Sequence, residues 1–157
     1  MAQPASELLI RCERLSIGYV DAVGAVTRVV DEASFALEPG HSIGIVGESG
    51  SGKSTLARAV LGYLRGGGRF LDGQLVVDGV EVTSAATASI RALRGLRVAM
   101  VPQNPLASLT YHMPVGRQVE EVLRARRGLA RVEAGRRAVA LFAEMGLPDP
   151  EEIGKRY

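Results

Sequence analysis

An α/β fold follows from three features of this sequence. The first is a glycine-rich loop at residues 47–55, Gly-Glu-Ser-Gly-Ser-Gly-Lys-Ser-Thr, a full match to G-x-x-x-x-G-K-[ST]. The second is its setting. The apolar run Ser-Ile-Gly-Ile-Val at 42–46 reads as a buried strand before the loop, and Leu56, Val60 and Leu61 supply one face of a helix after it. The third is a pair of strand-like stretches, residues 8–20 and 26–37, joined by the small, turn-prone Asp-Ala-Val-Gly-Ala at 21–25. They predict an antiparallel hairpin ahead of a phosphate-loop core.

Each residue type in the loop has a physical task. Gly47, Gly50 and Gly52 let the backbone take positive φ, so that successive N–H groups converge on an anion. The helix opening at Gly52 to Ser54 adds the positive end of its dipole. Lys53 is placed to reach the β- and γ-phosphates of a nucleoside triphosphate, and Ser54 is the expected Mg²⁺ ligand. Glu48, Ser49, Ser51 and Thr55 complete the cradle expected for ATP. The plain alternative is a Gly/Ser-rich turn with one exposed lysine. Habitual lysine use does not explain Lys53, since only two of the nineteen basic residues are lysines.

Length and composition set the bounds. At 157 residues and 46% apolar content, the chain is expected to be one globular domain with a core. A single cysteine, Cys12, excludes an intramolecular disulfide framework, fits a reducing compartment and reads as an ordinary strand residue. No stretch approaches about 18 consecutive apolar residues, and the N-terminus lacks a basic start followed by an apolar core, so neither a membrane span nor export is expected. The sequence pI is near 9.0, yet the net charge is only +2 and the arginines are spread, so nucleic acid is not an expected partner. Arg124, Arg126, Arg127, Arg131, Arg136 and Arg137 make one basic helical segment, read as a solvated face.

The remaining elements follow in order. Glu-Pro-Gly-His at 38–41 is a turn into the phosphate-loop strand, and Arg-Gly-Gly-Gly-Arg at 65–69 is a flexible connection. Residues 73–82 read as a second hairpin turning at Asp78-Gly79, and 84–95 as a short helix opened by Ser84. Arg-Val-Ala-Met-Val at 97–101 reads as a short strand ended by Pro102-Gln103-Asn104-Pro105. Val115, Val119, Val122 and Leu123 mark an amphipathic helix. Another helix spans about 131–145, with Ala138, Leu141, Phe142 and Met145 on one face and Gly146, Leu147 and Pro148 ending it.

With these motifs in chain order, the sequence resembles the ATP-binding subunit of ABC transporters, most of all the oligopeptide, dipeptide and nickel importers. The resemblance covers about residues 8–157. It rests on Leu-Ser-Ile-Gly-Tyr at 15–19, Leu-Glu-Pro-Gly at 37–40, the loop with its preceding Gly-Ile-Val at 44–55, and Met-Val-Pro-Gln-Asn-Pro-Leu-Ala-Ser-Leu at 100–109. The resemblance implies a partial ABC ATPase. Its parts would be an antiparallel β subdomain at about 8–40, a phosphate-loop core with an inserted hairpin at 41–103, and the start of a helical subdomain at 104–157. It implies that Tyr19 stacks on adenine, where the residues alone allow a half-buried strand tyrosine. It implies that Gln103 reaches Mg²⁺ and the attacking water, where the residues alone give a turn glutamine between prolines. It further implies integral membrane permease subunits and a second ATP-binding subunit as partners, at the cytoplasmic face of the inner membrane.

The sequence also departs from the family pattern. The strand ending in Asp-Glu, the Leu-Ser-Gly-Gly-Gln signature and the late histidine have no counterparts; Asp78 lies in a hairpin turn, and His41 and His112 fall elsewhere. The expectation is an N-terminal portion ending just before the signature, able to bind ATP but not to turn it over alone. In its complete form it would be a transport ATPase that takes up peptides or a related solute. Two other readings stand beside this one: an inert or binding-only fragment, and another phosphate-loop protein such as a small-molecule kinase or a DNA-acting ABC ATPase. The hairpin that carries Tyr19 and the Gln103 segment argue against a kinase, and Cys12 alone argues against zinc-type cysteine pairs.

Overall fold

The computed structural model describes residues 8–157, which divide into two compact units, one through Ala99 and one from Met100 to Tyr157. The first holds strands β1 (Ile10–Val20) and β2 (Val26–Leu37), helix α1 (Lys53–Val60), strands β3 (Gly68–Val77) and β4 (Val80–Glu81), and helix α2 (Thr87–Leu93). Its strands form one antiparallel sheet in the order β2-β1-β3-β4. The predicted first hairpin is present: Ile10 pairs with Leu37 and Val20 with Val26. So is the second. Asp78 and Gly79 turn it with φ of 47° and 77°, the two left-handed residues that a tight hairpin of matching twist requires.

β3 starts earlier than expected. Gly68 and Arg69 leave the glycine-rich connection to pair with Tyr19 and Gly18 of β1, so β1 is bonded along both edges. The core is built on it: Cys12, Leu15 and Ile17 pack with Leu75, Val77, Val82, Ala59 of α1 and Leu93 of α2. The buried Cys12 thiol bonds the Ala33 carbonyl at 3.3 Å, and burial pushes its pKa up to about 11, which suits an unreactive strand residue.

Strict alternation fails at Leu15, Ser16 and Ile17, which are all buried because β1 is irregular there. The Ser16 hydroxyl accepts from the Glu32 N–H at 3.1 Å, and Ser34 accepts from the Arg14 N–H at 2.9 Å, so side chains take up donors that the ladder misses. Across from this bulge, a Cβ on Gly73 would lie 2.2 Å from the Arg14 carbonyl oxygen, and Gly73 has φ of 80°.

Two expected strands are absent among the described residues. The run at 42–46 joins no sheet, and Ile43, Ile45 and Val46 are exposed. The run at 97–101 contributes only an isolated parallel bridge, Arg94 with Val98, and Val101 is exposed. The physical reason is that an apolar stretch becomes a parallel strand only beside a neighbour that accepts its hydrogen bonds and under cover on both faces. No such neighbour is present among the described residues. α2 is also shorter than predicted. It begins after Ala86 with no side-chain cap, so Ser84 does not open it.

The second unit holds a 3₁₀ turn (Leu106–Ser108) and helices α3 (Val115–Arg127), α4 (Arg131–Glu144) and α5 (Pro150–Ile153). α3 and α4 pack through Val119 and Leu123 against Ala134, Ala138 and Leu141. The buried stripe is narrower than the sequence suggested, since Val122 and Met145 are exposed. Small alanines on α4 let a narrow face suffice. α4 ends as predicted: Gly146 takes φ of 70° and donates to Ala143, while Leu147 donates to Phe142, satisfying two terminal carbonyls. The Gln118 amide bonds Thr110 and Met113, and the Gly116 N–H donates to the Gly154 carbonyl at 2.9 Å, which secures both ends of the unit to α3.

The contact between Gly73 and the β1 bulge generates a test. Gly128, with φ of 66°, has open space where a Cβ would stand. Gly128→Ala therefore costs only the left-handed penalty of about 1 kcal/mol. Gly73→Ala adds a collision with backbone and costs about 2–4 kcal/mol. Chemical denaturation of the two variants should show that order, and equal losses would refute the close approach.

Candidate functional site

The loop at 47–52 emerges exposed and closes on the start of α1. Gly47, Gly50 and Gly52 have φ of 155°, 85° and 88°, conformations that side-chain-bearing residues rarely adopt. The Ser51 N–H donates to the Glu48 carbonyl at 3.3 Å and the Leu56 N–H to the Gly52 carbonyl at 2.9 Å, so the curled loop runs directly into the helix. No side chain caps the α1 N-terminus and no acid lies in its first turn. Its first N–H groups, which have no intrahelical acceptors, together with the dipole, leave that end electropositive.

Lys53 is turned back over the loop. Its Nζ donates to the Gly47 carbonyl at 2.8 Å, to the Glu48 carbonyl, and to the Ser51 hydroxyl at 3.3 Å. The ammonium thus sits at the mouth of the same loop whose glycines curl the backbone. Glu48, Ser49 and Ser54 are exposed; Thr55 is buried at the base of the loop. A Cβ on Gly50 would meet nothing within 4 Å, whereas one on Gly47 would lie 2.8 Å from the Ser51 oxygen. The outer rim is open and the inner turn has no spare room.

The structure brings Tyr19 to this loop. The end of β1 places its ring half-buried beside Gly68, with its hydroxyl 3.5 Å from Thr55 Oγ1. Gln103 belongs to the second unit, where it lies exposed on an irregular bend between Pro102 and the turn at Leu106–Ser108. Among the described residues, no group of three or more His, Cys, Asp or Glu side chains could hold a metal ion by itself. A cation here would need hydroxyl, amide or phosphate oxygens, and the exposed Ser54 hydroxyl on the first turn of α1 fits such a donor set.

One participant was not legible in the sequence. A Cβ on Gly52 would lie 2.6 Å from the Val29 carbonyl oxygen and 3.2 Å from a Val30 methyl, so β2 is the surface on which the loop turns. Val29 stands more than twenty residues away with no local signature. Only the absence of a side chain at Gly52 hints that some backbone approaches there.

The model of the ABC transporter family matches residues 30–156. The oligopeptide transport ATP-binding protein OppD of Salmonella typhimurium is 34% identical over 155 residues, which are 99% of this chain and 45% of that protein. The dipeptide transport ATP-binding protein DppD of Escherichia coli is 34% identical over 142 residues, 90% of this chain and 43% of that protein. The chain thus spans somewhat under half the length of these curated relatives.

Among solved structures, a dimeric ATP-binding cassette in a post-hydrolysis state bound to ADP and Pi aligns with a TM-score of 0.74 at 17% identity, over 94% of this chain and 60% of that one. A bacterial Atm1-family ABC exporter with ATP bound aligns at 0.59 and 25% identity, over 92% of this chain and 22% of that one. The fold is therefore a partial phosphate-loop nucleoside-triphosphatase fold of the ABC ATPase kind, with an antiparallel sheet and helices. With a family model matched across four-fifths of its length, this chain belongs to the ABC transporter family.

Proposed function

We propose that this chain carries the ATP- and Mg²⁺-binding part of an ATP-binding subunit that powers the import of peptides or a related solute. The observation that carries the reading is the Lys53 ammonium held over a glycine-curled loop at an uncapped helix N-terminus. Two sources of positive potential meet there: the Lys53 ammonium and the uncapped start of α1, with its unpaired N–H groups and helix dipole. Fixed donors of this kind recognise a polyphosphate without any base-specific code, and Tyr19 beside the loop offers a flat ring for the adenine.

Ser54 and Gln103 are the residues proposed to hold Mg²⁺, which when bound would supply positive charge against the phosphates. The residues of this chain do the rest of the binding. Lys53 would exchange the carbonyls of Gly47 and Glu48 for phosphate oxygens, and the unpaired N–H groups at the start of α1 would supply backbone donors. The peptide class comes from the relatives, which are named as oligopeptide and dipeptide transport ATP-binding proteins. Permease subunits in the membrane and a second ATP-binding subunit complete the proposed assembly. The location would be the cytoplasmic face, and no helix among the described residues is long and apolar enough to cross a membrane.

Titration calorimetry of the full-length protein with MgATP tests the site. Lys53→Ala removes charge-assisted hydrogen bonds worth about 1.5–3 kcal/mol, so affinity should fall roughly 10- to 100-fold. Undiminished affinity would remove the loop from the proposal.

Gln103 is proposed for the chemical step rather than for ground-state binding. In the reconstituted transporter, Gln103→Ala should lower ATP turnover and solute uptake together while MgATP affinity stays close to that of the parent. Lost affinity with normal turnover per bound nucleotide would reverse that assignment.

A further inference from the structure

We infer that Arg94 is a positioning residue for the phosphate-loop helix, anchoring α1 from the end opposite the loop. The inference rests on the proposed function of that loop. α1 has only eight residues, and its C-terminus is closed by Gly62 with φ of 60°, whose N–H donates to Ala59 at 2.7 Å while that of Tyr63 donates to Arg58 at 3.1 Å. The carbonyls of Leu61 and Gly62 remain beyond that closure. Arg94 takes both. Its Nε donates to the Leu61 oxygen at 2.7 Å and its Nη2 to the Gly62 oxygen at 2.6 Å. The same guanidinium lies 5.9 Å from the centre of the Tyr63 ring.

Three features make this more than a surface contact. The guanidinium is a permanent cation at the negative end of the helix dipole, and its planar fork bridges two carbonyls at once. The segment that carries it is rigid: the Arg97 and Val98 N–H groups both donate to Leu93, and the Gly95 N–H donates to Val98. The segment is also fastened elsewhere. Arg97 grips both carboxylate oxygens of Asp78 at 2.6 and 2.7 Å, which ties it to the turn between β3 and β4 and holds the Asp78 carboxyl below the usual carboxylate range. Ile90 of α2 closes the contact, since a Cβ on Gly62 would lie 2.4 Å from its methyl.

Two arginines from one turn therefore brace the far end of α1 against the sheet. The near end has no side-chain cap, and there Lys53, Ser54 and Thr55 begin the helix. A helix of two turns with its far end left open would fray from that end toward the loop, and binding a polyphosphate would then have to order it first. Arg94 removes that cost before the ligand arrives.

The test compares Arg94→Ala, Arg94→Lys and Lys53→Ala in the full-length protein, at a temperature where circular dichroism shows every variant folded. MgATP affinity should fall about fivefold to tenfold in Arg94→Ala, the scale of a helix-terminal cation in a partly buried setting. Arg94→Lys, which keeps the charge but not the fork, should recover part of it. Without nucleotide, amide exchange over residues 56–63 should accelerate in Arg94→Ala and return to the parent rate when MgATP saturates. Parent-like affinity in Arg94→Ala, unchanged exchange over 56–63, or an Arg94→Lys protein that loses as much as Arg94→Ala would each overturn the inference. If Arg94→Ala does not fold, the affinity of Arg94→Lys and its exchange rates decide alone. Failure of the unsubstituted protein to bind MgATP would overturn the proposed function and this inference with it, whereas binding by the parent and by Arg94→Ala alike overturns only the inference.

Discussion

Pairing of β1 along both of its edges is the constraint on which the first unit depends. Through β2 it holds Val30 and Arg28, which flank Val29 at a register shift, and through β3 it holds Leu75 and Val77. Those two surfaces receive α1: Ala59 enters the core between them, and Gly52 rests on the Val29 oxygen with no room for a Cβ. The loop between Gly47 and Gly52 then has both ends of its final turn determined. Its own backbone is exposed and makes few bonds, so it takes its shape from the sheet beneath rather than from itself. Loosening β1 would therefore disturb anion recognition without altering any residue that faces the anion.

Electrostatics at the loop describes an exchange rather than a simple gain. The Lys53 ammonium is not solvated freely but bonded to two loop carbonyls and a hydroxyl. An arriving phosphate has to release those partners, which return to water at the exposed rim. The net free energy is the difference between charge-assisted bonds to phosphate and bonds to neutral carbonyls, smaller than the gross attraction suggests. In compensation, the lysine holds the two ends of the loop together before binding, so less conformational entropy is lost when the ligand arrives.

What could be read from the sequence divides along a physical line. Patterns closed within a few residues were legible. The loop motif, the turn at Asp78-Gly79, the glycine-closed end of α4 and the hairpin from β1 to β2 each depend on local φ preferences or short-range alternation. Features that need a distant partner were not. Residues 42–46 and 97–101 have the apolar composition of buried strands, yet a strand is defined by the ladder beside it. The seating of Gly52 on Val29 and the grip of Arg94 on Leu61 and Gly62 span more than twenty residues and follow no periodicity. The early start of β3 belongs to the same class, because Gly68 and Arg69 gain their place only from Tyr19 and Gly18 across the sheet.

The exposed runs bear on how the first unit behaves as a whole. Ile43, Ile45 and Val46 present apolar side chains to solvent, and the backbone of 42–46 enters no ladder among the described residues. Such surface favours any neighbour that supplies both hydrogen-bond partners and apolar cover. The antiparallel sheet does not share this demand, since its core residues Leu15, Ile17 and Leu75 are fully buried within the unit. Two parts of one unit thus differ in self-sufficiency. The sheet and α1 close a core around β1, while the segment leading into the loop remains open to pairing. The loop is suspended between them, with its helical side already fixed and its strand side still free to be ordered by whatever completes the parallel ladder.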